Sequence, residues 1–548
     1  MLQRLFRILL DFLCKILAFF QPDKYGFLPP ITNKILLRPA FELVKEIKTG
    51  KLRSKDVIHA YIDRIKQVQV WFLCFIYYIN FLFYNFLFFY FLKIQPHINA
   101  IVDERFELAL KEANDLDILI SSQITTNGKI SESLEAKPLL GIPYTGKDCI
   151  AAKGMVWSAS IPARKNIRAD KDSIEVEMYR DAGAIMIAMT AVPELLLWWD
   201  TTSITWGRTN NPYNGSTIVG GSTGGNGSLI ASAGSIIGMA GDIGGSIRIP
   251  ANFNGIYGHC CSNGTAQHNL HWPPHVESRL KMLYIGPLVR YAKDLLPVVK
   301  MYTQNSTENL RFDESVDISS LKFYILPEIQ DPSLSRTDDE LKDMFKKIGS
   351  YLTELGAQVT NVKLPELAGI FDIWMSMMQV PEANPMAYEM TNRQGCANLY
   401  LELLKAFFGL SLHSFPIIFT AIYRDKLMPL ISSPNSYNKK ALLEKKDCLE
   451  KAINNLLGND GILLIPTFPL VKVKPSATLL QFKNTCYTGL FNCINTAITQ
   501  IPMGLSKQGS PLGFQAVTGH LNDRLTIKLA EIIEDKFGGW VSPSVVEC

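Results

Sequence analysis

Between Gly220 and Pro250 the chain reads GGSTGGNGSLIASAGSIIGMAGDIGGSIRIP, a run of glycine and small hydroxylic residues too small and too specific to be ordinary core. Glycine lacks Cβ and reaches backbone conformations closed to other residues, so the pair before Ser246 lets several N–H groups converge on one point. Converging N–H groups are what an oxyanion hole requires. With the Ser246 hydroxyl attacking a carbonyl, the backbone N–H groups of Ile243, Gly244, Gly245 and Ser246 can hold the negative oxygen of a tetrahedral intermediate, each donor lowering the barrier by roughly 3 kcal/mol. The chemistry indicated is acyl transfer.

A serine hydroxyl is a weak nucleophile until a neighbour takes its proton, and no histidine lies in this stretch. Upstream, in KPLLGIPYTGKDCIAAKGM, Lys147 follows an apolar, strand-like run. Burial there disfavours the ammonium form, so a desolvated Lys147 can rest neutral and accept a proton. Ser222 supplies a bridge, because one hydroxyl can donate to Lys147 while accepting from Ser246. Asp242 and Arg248 are expected to brace the loop by hydrogen bonds and an ion pair, with no part in bond making.

Lys147, Ser222 and Ser246, in this order and in these surroundings, resemble the amidase-signature family, and within it the type-2 fatty-acid amide hydrolases. Similarity runs from about Arg38 onward through AYIDRIKQVQ, PHINAIVDERFELALKEA, GRTNNPYN, GPLVRYAKDL, TQIPMGLSKQGSPLGFQAV and FGGWV, in the family's order. The resemblance implies Lys147 as base, Ser222 as bridging serine with a cis peptide bond, and Ser246 as nucleophile. It implies an α/β fold with a twisted, mixed central β-sheet and helices on both sides. It further implies a fatty-acid amide as substrate, no cofactor and, by analogy, a homodimer. The sequence departs from the family at Thr223, where a second serine is usual, and at Gly146, where a Val-like residue is usual and the packing around Lys147 is expected to loosen. After NGIYGH it reads Cys260-Cys261-Ser262 in place of Lys-Pro-Ser/Thr, which points to lowered activity.

Other readings of these residues are weaker. The glycine run lacks the Gly-Lys-Ser/Thr ending of a phosphate-binding loop. Gly220 to Gly224 also fits the G-x-S-x-G nucleophile elbow, which would make Ser222 the nucleophile and recruit His520. His259, Cys260, Cys261, His268, His271 and His275 bear metal-ligating groups, but their spacing matches no known zinc pattern and an irregular loop is preferred, so no metal is expected. The ten cysteines form no framework, which suits a reducing compartment.

A net charge of +4 spread without basic blocks argues against a nucleic-acid partner, and 47% hydrophobic residues supply a large core. Short apolar runs such as GAIMIAM and GILLIPTFP alternate with amphipathic stretches such as ELVKEIKTG and DELKDMFKKIGSYLTELG, the mark of α/β organisation. Residues 1–37 are read as a membrane anchor and linker, and 38–548 as one catalytic domain. In the anchor, Leu2, Leu5, Phe6, Leu9, Leu13, Ile16, Leu17 and Phe20 recur at helical spacing opposite Arg4, Arg7, Asp11 and Lys15. Such a helix lies in the membrane surface more readily than across it. The broken apolar stretch from Phe407 to Ile422 suits an acyl-channel mouth or membrane cap about as well as a buried helix pair.

Residues 70–95, VWFLCFIYYINFLFYNFLFFYFLKIQ, are long and apolar enough for a transmembrane helix, yet they interrupt the family-like text. Deleting them joins AYIDRIKQVQ to PHINAIVDERF. Their composition is that of AT-rich codons, and the flanking valine and glutamine codons accommodate intron borders, so a translated, retained intron is the preferred reading and a membrane span the alternative. The expectation is therefore a membrane-associated serine hydrolase of fatty-acid amides on an intracellular membrane such as the endoplasmic reticulum or a lipid droplet. The alternatives are an amidase of small soluble amides and a non-catalytic lipid-binding or scaffold protein.

Overall fold

A computed structural model describes residues 9–10, 13–14, 28–69, 97–380, 382–427 and 437–548. The strands in chain order are β1 Ile101–Glu104, β2 Pro143–Lys147, β3 Ile185–Thr190, β4 Thr202–Ser203, β5 Gly207–Arg208, β6 Ile237–Asp242, β7 Tyr257–Cys260, β8 Tyr284–Val289, β9 Lys322–Ile325, β10 Gln358–Asn361, β11 Gly461–Ile465, β12 Thr496–Leu505 and β13 Pro511–Gly519. Eleven of them form one sheet in the order β1-β3-β2-β6-β8-β7-β12-β13-β11-β9-β10, while β4 and β5 make a separate ribbon. The sheet is mixed: β2 runs parallel to β3 and β6, whereas β8, β7, β12 and β13 pair antiparallel.

Both faces of this sheet are covered. Side chains alternate along a strand, and in β11 Ile462 and Leu464 join one apolar cluster while Leu463 and Ile465 join another. Flanking helices carry the spacing expected of them. Asp339–Glu354 buries Leu341, Met344, Phe345, Ile348 and Leu352, and Ala40–Lys48 buries Leu43, Val44 and Ile47. GAIMIAM and GILLIPTFP supply β3 and β11, buried throughout.

Most of the expected anchor and the whole apolar insertion lie outside the described residues. Of the anchor, Leu9 and Leu13 are exposed, whereas Cys14 packs with Trp199, Ile218 and Phe468. The linker is bound to the body, since Ile31 N–H donates to Val545 O at 2.8 Å and Ile31 O accepts from Glu547 N–H at 2.9 Å. At the insertion, Ile98 N–H donates to Val68 O at 3.3 Å and Ala100 N–H to Gln69 Oε1 at 2.8 Å, so the chain leaves and re-enters at one place. Among the described residues no helix is long and apolar enough to cross a membrane.

Candidate active site

The site is assembled at the carboxyl ends of three adjacent parallel strands, the usual place for chemistry in open α/β sheets. Lys147 is the last residue of β2. The chain after β3 carries Leu195 to Trp199, and the chain after β6 carries Ile243 to Ser246. Lys147, Leu195 to Trp199, Ile243, Gly244 and Ser246 line one cavity of about 450 Å³, together with Gly221 and Ser222. The three residues expected to carry the chemistry are thus brought together, although more than ninety positions separate the first from the last.

Lys147 is 2% exposed and Ser222 1%. The lysine Nζ donates to Ser222 Oγ at 3.0 Å and to Gly241 O at 3.2 Å, and makes no ion pair among the described residues. Burial pulls its pKa below the ordinary lysine value, against weaker upward pulls from Cys149 and Asp242. The Gly221–Ser222 peptide bond is cis. The expected second link differs: Ser246 Oγ makes no hydrogen bond among the described residues, and Ser246 stands half-buried on the cavity wall.

The loop after β6 is folded around the Asp242 carboxylate. Gly245 N–H donates to Asp242 Oδ1 at 2.7 Å, Ile247 N–H to Oδ2 at 3.0 Å, and the Arg248 guanidinium to both oxygens at 2.9 and 3.1 Å. Burial alone would raise the Asp242 pKa, but the charge and hydrogen bonds of Arg248 outweigh it and hold the carboxyl far below its usual range. The four N–H groups expected to form an oxyanion hole are not equally free. Gly245 N–H is committed to Asp242, leaving those of Ile243, Gly244 and Ser246 without hydrogen bonds among the described residues. Gly245 is nonetheless required by its backbone, with φ of 127° and no room for a Cβ beside Ile249 and Thr488.

Several supports come from far along the chain. Trp374 Nε1 donates to Ile243 O at 2.9 Å, and its ring lies 2.7 Å from where a Cβ on Gly244 would be. Thr488 Oγ1 donates to Gly244 O at 2.7 Å. Asn492 accepts from Arg248 Nη2 at 2.7 Å and donates to Asp242 Oδ1 at 3.0 Å, while Gln515 Oε1 accepts from Arg248 Nη1 at 3.0 Å. The signal for the last two is an amide set in apolar text, Asn492 in GLFNCI and Gln515 in GFQAV.

The departures from the family pattern prove well packed. At Gly146 the space of a Cβ is filled by Met189, with Met186 beside it, so Lys147 is not loosely held. Thr223 is buried with its hydroxyl unpartnered. Cys260 ends β7 fully buried, its thiol donating to Asp242 Oδ2 at 3.7 Å. The segment beyond is pinned by Asp523, which accepts from Ser262 N–H at 2.8 Å and Ser262 Oγ at 2.5 Å and pairs with His259 at 3.0 Å. The histidines are divided: His259 belongs to Asp523, His271 pairs with Glu175 at 2.5 Å, and His275 lines the cavity. Among the described residues no group of three or more such side chains is placed to hold a metal ion. His520 is not on the cavity wall, which separates it from Ser222.

One side of the cavity is aromatic. Phe371 lies 6.3 Å from Trp374 and 5.2 Å from Phe482, and Phe419 and Tyr423 each stand about 6 Å from Phe482. Phe419 belongs to the stretch from Phe407 to Ile422 for which a channel mouth, a membrane cap and a buried helix pair were all open, and Tyr423 follows directly on it. That stretch begins at the end of the helix Leu399–Phe407 and ends with the helix Phe415–Ile422, with Ile417, Ile418 and Ala421 buried and Phe407, Leu410 and Leu412 exposed at 85%, 71% and 68%.

The sequence profile of the family described as Amidase matches residues 91–527, and the chain belongs to that family: it is an amide-hydrolysing enzyme. Among its relatives is Fatty-acid amide hydrolase 2-A of Danio rerio, 35% identical over 552 residues that cover 99% of this chain and 97% of the relative. Fatty-acid amide hydrolase 2 of Homo sapiens is 36% identical over 522 residues, covering 94% and 92%. The fold is shared with the solved structures of a bacterial aryl acylamidase, at a TM-score of 0.68 and 20% identity over 92% of this chain and 97% of that one, and of a fatty acid amide hydrolase, at 0.67 and 17% over 93% and 86%.

Proposed function

We propose that this chain is a membrane-associated serine hydrolase that cleaves fatty-acid amides to a fatty acid and an amine or ammonia, with residues 38–548 as its catalytic unit. The observation that carries the reading is a buried lysine without an acid partner, 3.0 Å from Ser222 Oγ, in a cavity shared with Ser246. Ser246 Oγ attacks the amide carbonyl as its proton passes to Ser222, whose own proton passes to neutral Lys147. The Ser222–Ser246 hydrogen bond closes when substrate fills the cavity, since catalytic hydrogen bonds are commonly long before binding. N–H groups of Ile243, Gly244 and Ser246 receive the oxyanion. Return of the proton through Ser222 to the amide nitrogen releases the amine, and water then hydrolyses the acyl ester and restores Ser246.

A lipid substrate is supported by the aromatic wall, by the fatty-acid amide hydrolases among the relatives, and by the exposed apolar hairpin next to it. Tyr400, Leu401, Leu404, Phe407, Phe408, Leu410, Leu412 and Phe415 form a contiguous stretch of a kind that soluble surfaces seldom show. Because Phe419 of the same hairpin and Tyr423 just beyond it line the cavity, a bilayer touching the hairpin would deliver acyl chains to its mouth. The test is hydrolysis of saturated primary amides from acetamide to stearamide with lipid vesicles present. Rates that climb with chain length, and fall along with vesicle binding in a Phe407→Ser/Leu410→Ser protein, are expected. A preference for acetamide would make the enzyme one of small soluble amides, and no turnover by a folded protein would favour a lipid-binding role.

A further inference from the structure

The cavity has a cationic side that the acyl chain does not explain. Arg279, Arg393 and Arg424 line it, and among the described residues Glu389 is the one carboxylate on its wall. Glu389 is already engaged, accepting from Arg393 Nε at 3.0 Å and from Arg393 Nη2 at 2.9 Å. Arg424 stands 4.0 Å from Asp425 and donates to Asn384 O at 3.2 Å. Arg279 has no carboxylate partner among the described residues: its Nε and Nη2 share a single acceptor, Met378 O, at 3.1 and 2.8 Å, and its Nη1 makes no hydrogen bond. Burial, and next Arg424, pull its pKa down to about 10 in spite of Asp425 and Glu389. A largely buried guanidinium left in this state is poised to pair with an incoming anion.

Its position decides which part of a substrate would bring that anion. Trp272 N–H donates to Cys149 O at 2.8 Å, two residues beyond Lys147, and the His275 ring lies 5.7 Å from that of His271, so the segment that leads to Arg279 runs beside the end of β2, and Lys147, His275 and Arg279 line the same cavity. The cationic side therefore adjoins Lys147. In the proposed mechanism, on which this inference rests, Lys147 and Ser222 return the proton to the leaving nitrogen, so the amine portion of the substrate lies towards them.

We propose that Arg279, backed by Arg424, binds an anionic group on the amine portion of the substrate, making N-acyl amino acids, with a free carboxylate, favoured amides of this enzyme. A bidentate guanidinium–carboxylate contact in a largely desolvated site is strong and geometrically selective. Such a substrate is cut to a fatty acid and a free amino acid with no further reactant than water.

The test compares N-oleoylglycine with N-oleoylethanolamine, which replaces the carboxylate by a neutral hydroxymethyl group. For Arg279→Gln the ratio of kcat/KM for the anionic over the neutral amide is expected to fall about tenfold or more from wild type, and Arg279→Lys to retain part of it. Using the ratio removes any general folding defect from the readout. Dissociation constants of both ligands for Ser246→Ala protein, with and without Arg279→Gln, should shift in the same sense. A ratio and a binding preference both unmoved by Arg279→Gln would overturn the inference while leaving amide hydrolysis intact. Selective, Arg279-dependent binding without turnover would sustain it and overturn the hydrolase mechanism instead.

Discussion

Two cations lie buried at the ends of neighbouring strands and are treated in opposite ways. Arg248, beside the end of β6, is fully buried and surrounded: Asp242 neutralises it, and Asn492, Gln515 and Thr488 O take its remaining N–H groups. Lys147, at the end of β2, is just as deep but among the described residues has only a hydroxyl and a carbonyl for partners. A charge that must never change is given an acid, whereas one that has to come and go is given only burial. Arg248 thereby holds the loop of Ile243 to Ser246 in shape, and Lys147 is left free for the proton exchange that the proposed mechanism asks of it.

The largest effect that sharpens this contrast is on rate. Lys147→Met should lower kcat/KM for oleamide about a thousandfold or more while the circular dichroism spectrum stays that of the wild type; an intact rate would remove Lys147 from the mechanism. On stability the strongest change belongs to the other cation. Asp242→Ala leaves Arg248 charged, buried and unpaired, and should cost about 3–5 kcal/mol in denaturant unfolding, with loss of activity as a consequence. A loss below about 1 kcal/mol would show that the pair is not the loop's support.

A smaller effect separates the two cations by pH. Burial lowers the folded-state pKa of Lys147 below 10.5, so between those values the unfolded chain binds more protons at this position than the folded one. Stability from this group is therefore lowest below the folded pKa and rises as pH climbs towards the unfolded one. Lys147→Met should be more stable than wild type at neutral pH, by a margin that narrows in alkaline solution; a margin independent of pH would mean that Lys147 is not desolvated. Smaller still, removal of 70–95 should leave fold and rate unchanged, since Val68 and Ile98 already meet, and a precipitated or unfolded product would assign that segment a structural role. The least change belongs to Thr223→Val, within about 0.5 kcal/mol in unfolding, because the hydroxyl it removes is unpartnered.

What was legible in the sequence was local. Glycines before Ser246, the apolar run before Lys147 and the acid and base either side of the turn each announce themselves within a few residues. The strands β3 and β11 and the helix Asp339–Glu354 were equally plain, because burial imposes periods of 2 and 3.6 on hydrophobic residues. Trp374, Thr488, Asn492 and Gln515 were not, since their meaning arises only when helices and strands distant in sequence come side by side. The engagement of Gly245 N–H was hidden for a related reason. Convergence of N–H groups was foreseen, but the Asp242 carboxylate competes for them, and its reach depends on how the turn closes. Gly146 shows the converse, where a local gap in the family pattern is filled by Met189 from the adjacent strand.

The central claim is that Ser246 is the nucleophile and that Lys147, through Ser222, activates it. Its most direct test is fluorophosphonate labelling, followed by peptide mass spectrometry, of wild type, Ser246→Ala and Lys147→Met. The account predicts an adduct on Ser246 in wild type, none in Ser246→Ala, and a labelling rate in Lys147→Met reduced by about a thousandfold. An adduct on Ser222, or undiminished labelling without Lys147, would contradict it.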